Sequence, residues 1–103
     1  MSLHISLLEE KHSQNITHNL NKMAEAVGLY KPLWHPSSNG FWIAEDLIEP
    51  LERGLTLLNN NPEHYIQFNA PNNWGTYENF VPWLENLLAK CKEFPECHIE
   101  VSI

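Results

Sequence analysis

Apolar residues alternate with polar ones at both ends of the chain. Near the start Leu3, Ile5 and Leu7 recur with a period of two, and near the end Cys97, Ile99, Val101 and Ile103 do the same. A period of two is typical of a strand with one buried face, so we expect a strand at each end, with His4 pointing outward. Strands need partners for their backbone groups, which predicts that these two pair with each other.

A helical period follows the first strand. Ile16, Leu20, Met23 and Val27 are spaced by four, three and four residues, which predicts a helix from about residue 16 to about residue 27. Asn15 is expected to cap its start and Gly28 to end it. The polar segment 9–14 would then be a turn.

Three more helices are predicted from spacing and capping signals. One spans about residues 43 to 58, with Pro50 expected either to kink it or to mark a later start. A short helix begins at Pro62, with Tyr65, Ile66 and Phe68 expected to hold it to the core. The last runs from a cap at Thr76 to about Glu93, and Cys91 falls on its apolar side.

The segments between the helices contain the turn-forming residues. Residues 29–40 have two prolines and a Ser-Ser-Asn-Gly run, so we expect an ordered loop in which Trp34 covers the core or forms a pocket wall. Residues 69–75 form a second loop. The pattern therefore predicts one α+β domain over 1–103, mainly helical, with three to four helices and a two-stranded sheet whose open edges could pair into a homodimer.

Composition narrows the classes of function. Six Lys and Arg stand against thirteen Asp and Glu, giving a net charge of -7, which disfavours nucleic acid as a partner. Apolar runs are too short to cross a bilayer and two cysteines make no disulfide framework, so we expect a soluble, cytoplasmic protein with no membrane contact. The acidic Glu45, Asp46, Glu49 and Glu52 are expected to face solvent.

Familiar catalytic and metal motifs are absent from the sequence. The six histidines (His4, His12, His18, His35, His64 and His98) include no pair at metal-binding helical spacing, and there is no phosphate-binding glycine loop or nucleophile elbow. We therefore predict no metal and no cofactor.

Two polar segments remain as candidates, one at the start of the first predicted helix and one before the last. If they lie side by side, they would form a polar, aromatic-walled pocket for a small polar or anionic ligand. The candidate binding residues are Asn15, Thr17, His18, Asn19, Trp34, Asn72, Trp74 and Tyr77. Two alternatives stay open: a small enzyme with His18 as general base, or caps and turns that are purely structural, with a protein partner bound elsewhere.

The same segments carry a resemblance. Asn-Ile-Thr-His-Asn-Leu at 15–20, Met-Ala-Glu-Ala-Val-Gly-Leu-Tyr at 23–30, Leu-Trp-His-Pro at 33–36 and Asn-Asn-Trp-Gly-Thr-Tyr at 72–77 resemble a family of small bacterial and phage-encoded proteins. His35 and Asn73 depart from the family pattern, which more often has Arg and Gly there. The resemblance implies kinship over nearly the whole chain, and it implies no activity.

Overall fold

A computed structural model of the chain describes residues 2–10, 12–70 and 75–103. Its strands are β1 (Ser2–Leu7), β2 (His12–Thr17) and β3 (Ile99–Ser102), and its helices in the described ranges are α1 (Asn21–Ala26), α2 (Tyr30–Trp34), α3 (Ala44–Asn60), α4 (Pro62–Ile66) and α5 (Tyr77–Glu93). Short 3-10 turns cover Leu8–Glu10, His18–Leu20 and Ser37–Asn39. The fold is α+β, as predicted.

The sheet is larger than the pattern indicated. Its three strands have the order β2-β1-β3 and all pairs are antiparallel. The predicted pairing of the terminal strands is confirmed, since His4 lies opposite Ser102 and Leu7 opposite Ile99. The prediction of only two strands is wrong, because the polar segment expected to be a turn and a helix start forms β2 instead.

The alternation in β1 has the expected effect. Leu3, Ile5 and Leu7 are fully buried, while His4 is exposed on the opposite face. In β3 the pattern is only partly expressed, because Ile99 and Val101 are half-buried and Ile103 is 58% exposed. The buried side chains of the sheet join one core with the helices.

The first helix is shorter than predicted. Ile16 is buried on β2, and α1 does not begin until Asn21, so Asn15 caps no helix. The end of α1 is as expected: Gly28 has φ 76°, its N–H donates to the Glu25 carbonyl, and the Leu29 N–H donates to the Ala24 carbonyl. These two hydrogen bonds close the last turn of α1. Helix α2 follows directly, within residues 29–40, which were predicted to be a loop.

The two long helices, α3 and α5, pack against each other, and both lie where their apolar stripes predicted helices. Helix α3 begins at Ala44 with Pro50 inside it and buried, so a start near Pro50 is wrong. The Asp46 carboxylate accepts hydrogen bonds from the backbone N–H groups of Trp42 and Ile43, which ties down the first turn. Glu45, Glu49 and Glu52 are exposed as expected.

The remaining predictions for side chains on the helices are mostly confirmed. Helix α4 begins at Pro62 and buries Tyr65, but Ile66 is 42% exposed and does not pin it to the core. Cys91 is fully buried on α5, and burial raises the pKa of its thiol to about 12, so the thiol stays protonated and packs as a small apolar group.

Candidate functional site

A cleft of about 1010 Å³ opens at one end of the sheet. One wall comes from the sheet itself, where β1 begins and β2 and β3 end: Ser2, Asn15, Ile16, Thr17 and Ile103 line it. Because β1 is central and antiparallel to both neighbours, these residues from distant parts of the chain meet at the same end.

The floor of the cleft comes from the residues that follow β2. Thr17 accepts a hydrogen bond at Oγ1 from the Asn19 backbone N–H, which starts the 3-10 turn that carries His18. The capping role considered for Thr17 is therefore present, on a 3-10 turn and not on a long helix. Asn19 and Asn21 also line the cleft.

The opposite wall is aromatic and comes from α2. Tyr30 stacks on Trp34 with ring centroids 5.6 Å apart and planes at 19°, and it meets His35 edge-on at 5.5 Å. The Tyr30 hydroxyl lies 3.3 Å from His35 Nε2. Trp34 is only 4% exposed, so it serves both predicted roles, covering the core and lining the cleft.

One hydrogen bond joins the floor of the cleft to this aromatic wall, and it determines which nitrogen of His18 carries the proton. The indole Nε1–H of Trp34 donates to His18 Nδ1 over 2.9 Å. An indole nitrogen can only donate, so Nδ1 must be the unprotonated nitrogen and the imidazole proton must lie on Nε2. His18 is therefore a neutral hydrogen-bond donor at Nε2.

His18 Nε2 has no hydrogen-bond partner among the residues that the structure describes, and the atom is buried. A buried donor without an acceptor costs about 1–3 kcal/mol. This imidazole nitrogen is thus an unsatisfied group in a side chain that lines the cleft.

The same geometry bears on general-base catalysis. A base must accept a proton, but Nδ1 is occupied by the indole N–H and Nε2 already carries its proton. His18 could act as a base at Nε2 only after the bond to Trp34 breaks and the ring changes tautomer.

Gly75, in the second predicted segment, lies against the site. Gly75 has φ 120°, and a Cβ built there would lie 3.0 Å from Asn19 Cβ and 3.2 Å from Thr17 Cγ2. The chain before α5 therefore packs directly against the floor of the cleft. A side chain at Gly75 would be strained by both the backbone angle and these contacts.

The eight candidate residues divide into three groups. Asn15, Thr17, His18, Asn19 and Trp34 line the cleft together. Tyr77 is not among the lining residues: its N–H donates to Asn69 Oδ1 and its hydroxyl donates to the Leu58 carbonyl, so it holds α5 against α3. Asn72 and Trp74 lie outside the described residues, as does Asn73.

Sequence reasoning did not single out Ser2, Asn21, Tyr30, His35 or Ile103 as site residues. A signal was present for one of them, because Tyr30 and Trp34 are four residues apart and so share one side of a helical turn. The loop prediction for residues 29–40 hid that spacing. Ser2 and Ile103 join the site only through the pairing of the terminal strands.

Two features, a cluster of metal ligands and a membrane-spanning helix, are absent from the described part of the chain. No group of three His, Cys, Asp or Glu side chains in residues 2–10, 12–70 and 75–103 is arranged to hold a metal ion. Within those ranges no helix combines the length and apolar character needed to span a bilayer.

Comparison with protein-family models, curated proteins and solved structures gave no match. The class of protein is therefore defined by its own fold and site. It is a small α+β domain with a three-stranded antiparallel sheet, and at one end of that sheet it carries a cleft with amide, imidazole and aromatic walls.

Proposed function

We propose that the chain is a binding module that takes a small polar molecule into the cleft between the end of β2 and α2. The observation that carries this proposal is the imidazole of His18: the residue lines the cleft, and its buried Nε2–H has no acceptor in the described structure. Native proteins rarely leave such a donor unpaired, and a ligand is one way to satisfy it.

Three further features support a binding role. The cleft volume lies at the upper end of the range for small-molecule sites. Its walls combine stacked rings with a few polar groups, as such sites do. None of the buried residues among those described is polar or charged, so the polar groups that could recognise a ligand lie at the surface, as they do in this cleft.

Binding ranks above catalysis because the nitrogen that would act as a base is occupied. Trp34 holds His18 in its donor tautomer, which suits recognition of an acceptor and opposes proton abstraction. A protein partner or a second copy as the main ligand ranks lower, because the polar groups of the cleft are gathered in a concave site. The cytoplasmic location and the kinship with bacterial and phage-encoded proteins remain part of this proposal.

A thermal-shift screen tests the proposal. The parent chain and the His18→Ala variant are screened with the same collection of uncharged and anionic metabolites, with His64→Ala as a control because His64 is exposed and does not line the cleft. We expect at least one compound to raise the Tm of the parent and of His64→Ala but not of His18→Ala. Equal shifts in all three proteins for every active compound would contradict the proposal.

A further inference from the structure

The cleft has no charged side chain among its described lining residues. Its polar groups are amides, hydroxyls and imidazoles, and the chain as a whole carries a net charge of -7. An anion entering the cleft would lose water without meeting Lys or Arg, and it would approach against the field of the whole molecule. These features oppose a charged ligand.

The buried donor at His18 sets a second condition, for a ligand that enters deeply enough to displace the atoms covering Nε2. In its Trp34-bound tautomer the ring offers an N–H and no free lone pair, so the ligand must supply an acceptor. A carbonyl oxygen or an unprotonated ring nitrogen meets this condition without carrying a charge. An ammonium group does not meet it.

The aromatic wall sets a third condition. Tyr30 is half-buried, lines the cleft and is backed by Trp34, which holds its ring in a stacked position. A planar conjugated molecule would gain from offset stacking on such a ring. Asn15, on the wall formed by the sheet, and Asn21, on the floor, have exposed side-chain amides that can both donate and accept hydrogen bonds.

From these three conditions we infer that the ligand is an uncharged planar molecule with a carbonyl acceptor, such as an aromatic primary amide or a lactam, and that His18 Nε2–H donates to that carbonyl. This inference rests on the proposed function and narrows it. It excludes the anionic ligands that the sequence left open.

Matched pairs of small molecules separate charge from shape. Benzamide and benzoate, nicotinamide and nicotinate, and uracil and orotate are titrated into the unmodified chain at equal concentrations. The two-dimensional ¹H–¹⁵N spectra follow the backbone amides and the imidazole nitrogens of His18. We expect at least one uncharged member to shift the resonances of His18, Tyr30 and Trp34 saturably. Its carboxylate counterpart should have an affinity lower by a factor of at least about ten, which corresponds to about 1.4 kcal/mol.

A variant locates the contact. His18→Leu removes the donor, whereas His64→Leu removes a histidine outside the cleft and serves as its control. The uncharged probe should lose about tenfold or more in affinity in His18→Leu and keep its affinity in His64→Leu. If His18→Leu does not fold, nuclear Overhauser contacts between the probe and the His18 ring in the unmodified chain make the same assignment.

The outcomes are distinguishable. If the carboxylates bind at the His18 resonances as tightly as the amides, the inference is wrong and the proposed function stands. If no probe shifts the cleft resonances, or if the shifts lie elsewhere on the molecule, the inference is overturned; the thermal-shift screen then decides whether the cleft binds anything at all.

Discussion

The proton of the His18 imidazole is placed by one neighbour. Trp34 can only donate through its indole nitrogen, so its contact with Nδ1 leaves Nε2 as the N–H. Doubly protonated His18 could not accept this bond. The arrangement therefore couples the tautomer of a cleft residue to a ring that is 4% exposed and part of the core.

Removing the indole N–H tests this coupling. In Trp34→Phe the His18 Nδ1 loses its donor in a part-buried position, so we expect the free energy of unfolding to fall by about 1–3 kcal/mol, with some further loss from the smaller ring. Urea denaturation measures the loss. The ¹⁵N shifts of the imidazole should also change from a single Nε2–H tautomer toward a mixture.

Trp42→Phe is the matched control, because Trp42 is 60% exposed and does not line the cleft. We expect its stability to stay within about 0.5 kcal/mol of the parent. Equal destabilisation by the two substitutions, with an unchanged His18 tautomer, would show that the bond between Trp34 and His18 has no special role.

At the scale of elements, β2 shows why a sequence pattern can mislead. Its core-side positions are Ile16, Gln14 and His12, and only Ile16 is buried. Gln14 donates to the Trp83 carbonyl and accepts from Asn86 and His12, so side-chain hydrogen bonds to α5 replace apolar contacts. Because the apolar residues of this segment do not alternate, its sequence does not predict a strand. The segment forms a strand because it pairs with β1.

The predicted first helix failed for a related reason. Leu20, Met23 and Val27 do lie on one buried side, but Ile16 joins them from a strand, so its helical spacing is a coincidence. The long helices α3 and α5 were predictable because their apolar stripes extend over four turns or more. The cleft residues before α1 were therefore identified from their chemistry, although the structural reason given for them was wrong.

Contact between α3 and the residue that leads into α2 yields a test at this scale. A Cβ at Gly54, inside α3, would lie 2.6 Å from Leu29 Cδ1 and 2.9 Å from Leu29 Cγ, and Leu29 is fully buried. We expect Gly54→Ala to lower the free energy of unfolding by about 1–3 kcal/mol through overpacking. This loss outweighs the gain of up to about 1 kcal/mol that alanine brings to a helix interior.

The double variant identifies the cause. In a Leu29→Ala background the clashing atoms are gone, so Gly54→Ala should become neutral or stabilising by up to about 1 kcal/mol. Urea denaturation of the four proteins completes the cycle. The same cost in both backgrounds would mean that the contact with Leu29 is not responsible.

At the scale of the whole molecule, the two ends of the chain are joined by more than the sheet. Glu9, in the turn after β1, accepts hydrogen bonds from the His98 backbone N–H and from His98 Nδ1, each over 2.7 Å. The Leu8 N–H donates to the His98 carbonyl. The contacts of Glu9 with His98 link residues 89 positions apart just before β3 begins.

The Glu9 contact predicts a pH dependence of stability. The hydrogen bond from the His98 side chain, followed by that from the His98 backbone, holds the pKa of Glu9 below its ordinary value of 4.5. A lowered pKa in the folded state means that the carboxylate stabilises the protein above the ordinary value, and that this contribution is lost as the pH falls below it. The effect is modest because both groups are exposed to solvent.

Glu9→Gln checks the sign of this dependence. We expect the variant to be less stable than the parent near neutral pH, and the difference to shrink as urea denaturation is repeated at pH values falling below 4.5. Glu85→Gln is the control, since Glu85 is an exposed helical glutamate. A gap between Glu9→Gln and the parent that stays constant with pH would contradict the assignment.

The pairing of the terminal strands has a practical consequence for anyone handling this protein. Ser2 and Ile103 both line the cleft, so a purification tag joined directly before Ser2 or directly after Ile103 would begin beside the site and compete with small probes for it. Tag-free material is therefore the proper reagent for ligand searches. A fluorophore attached beside Ser2 or Ile103 would, for the same reason, lie close enough to report on occupancy.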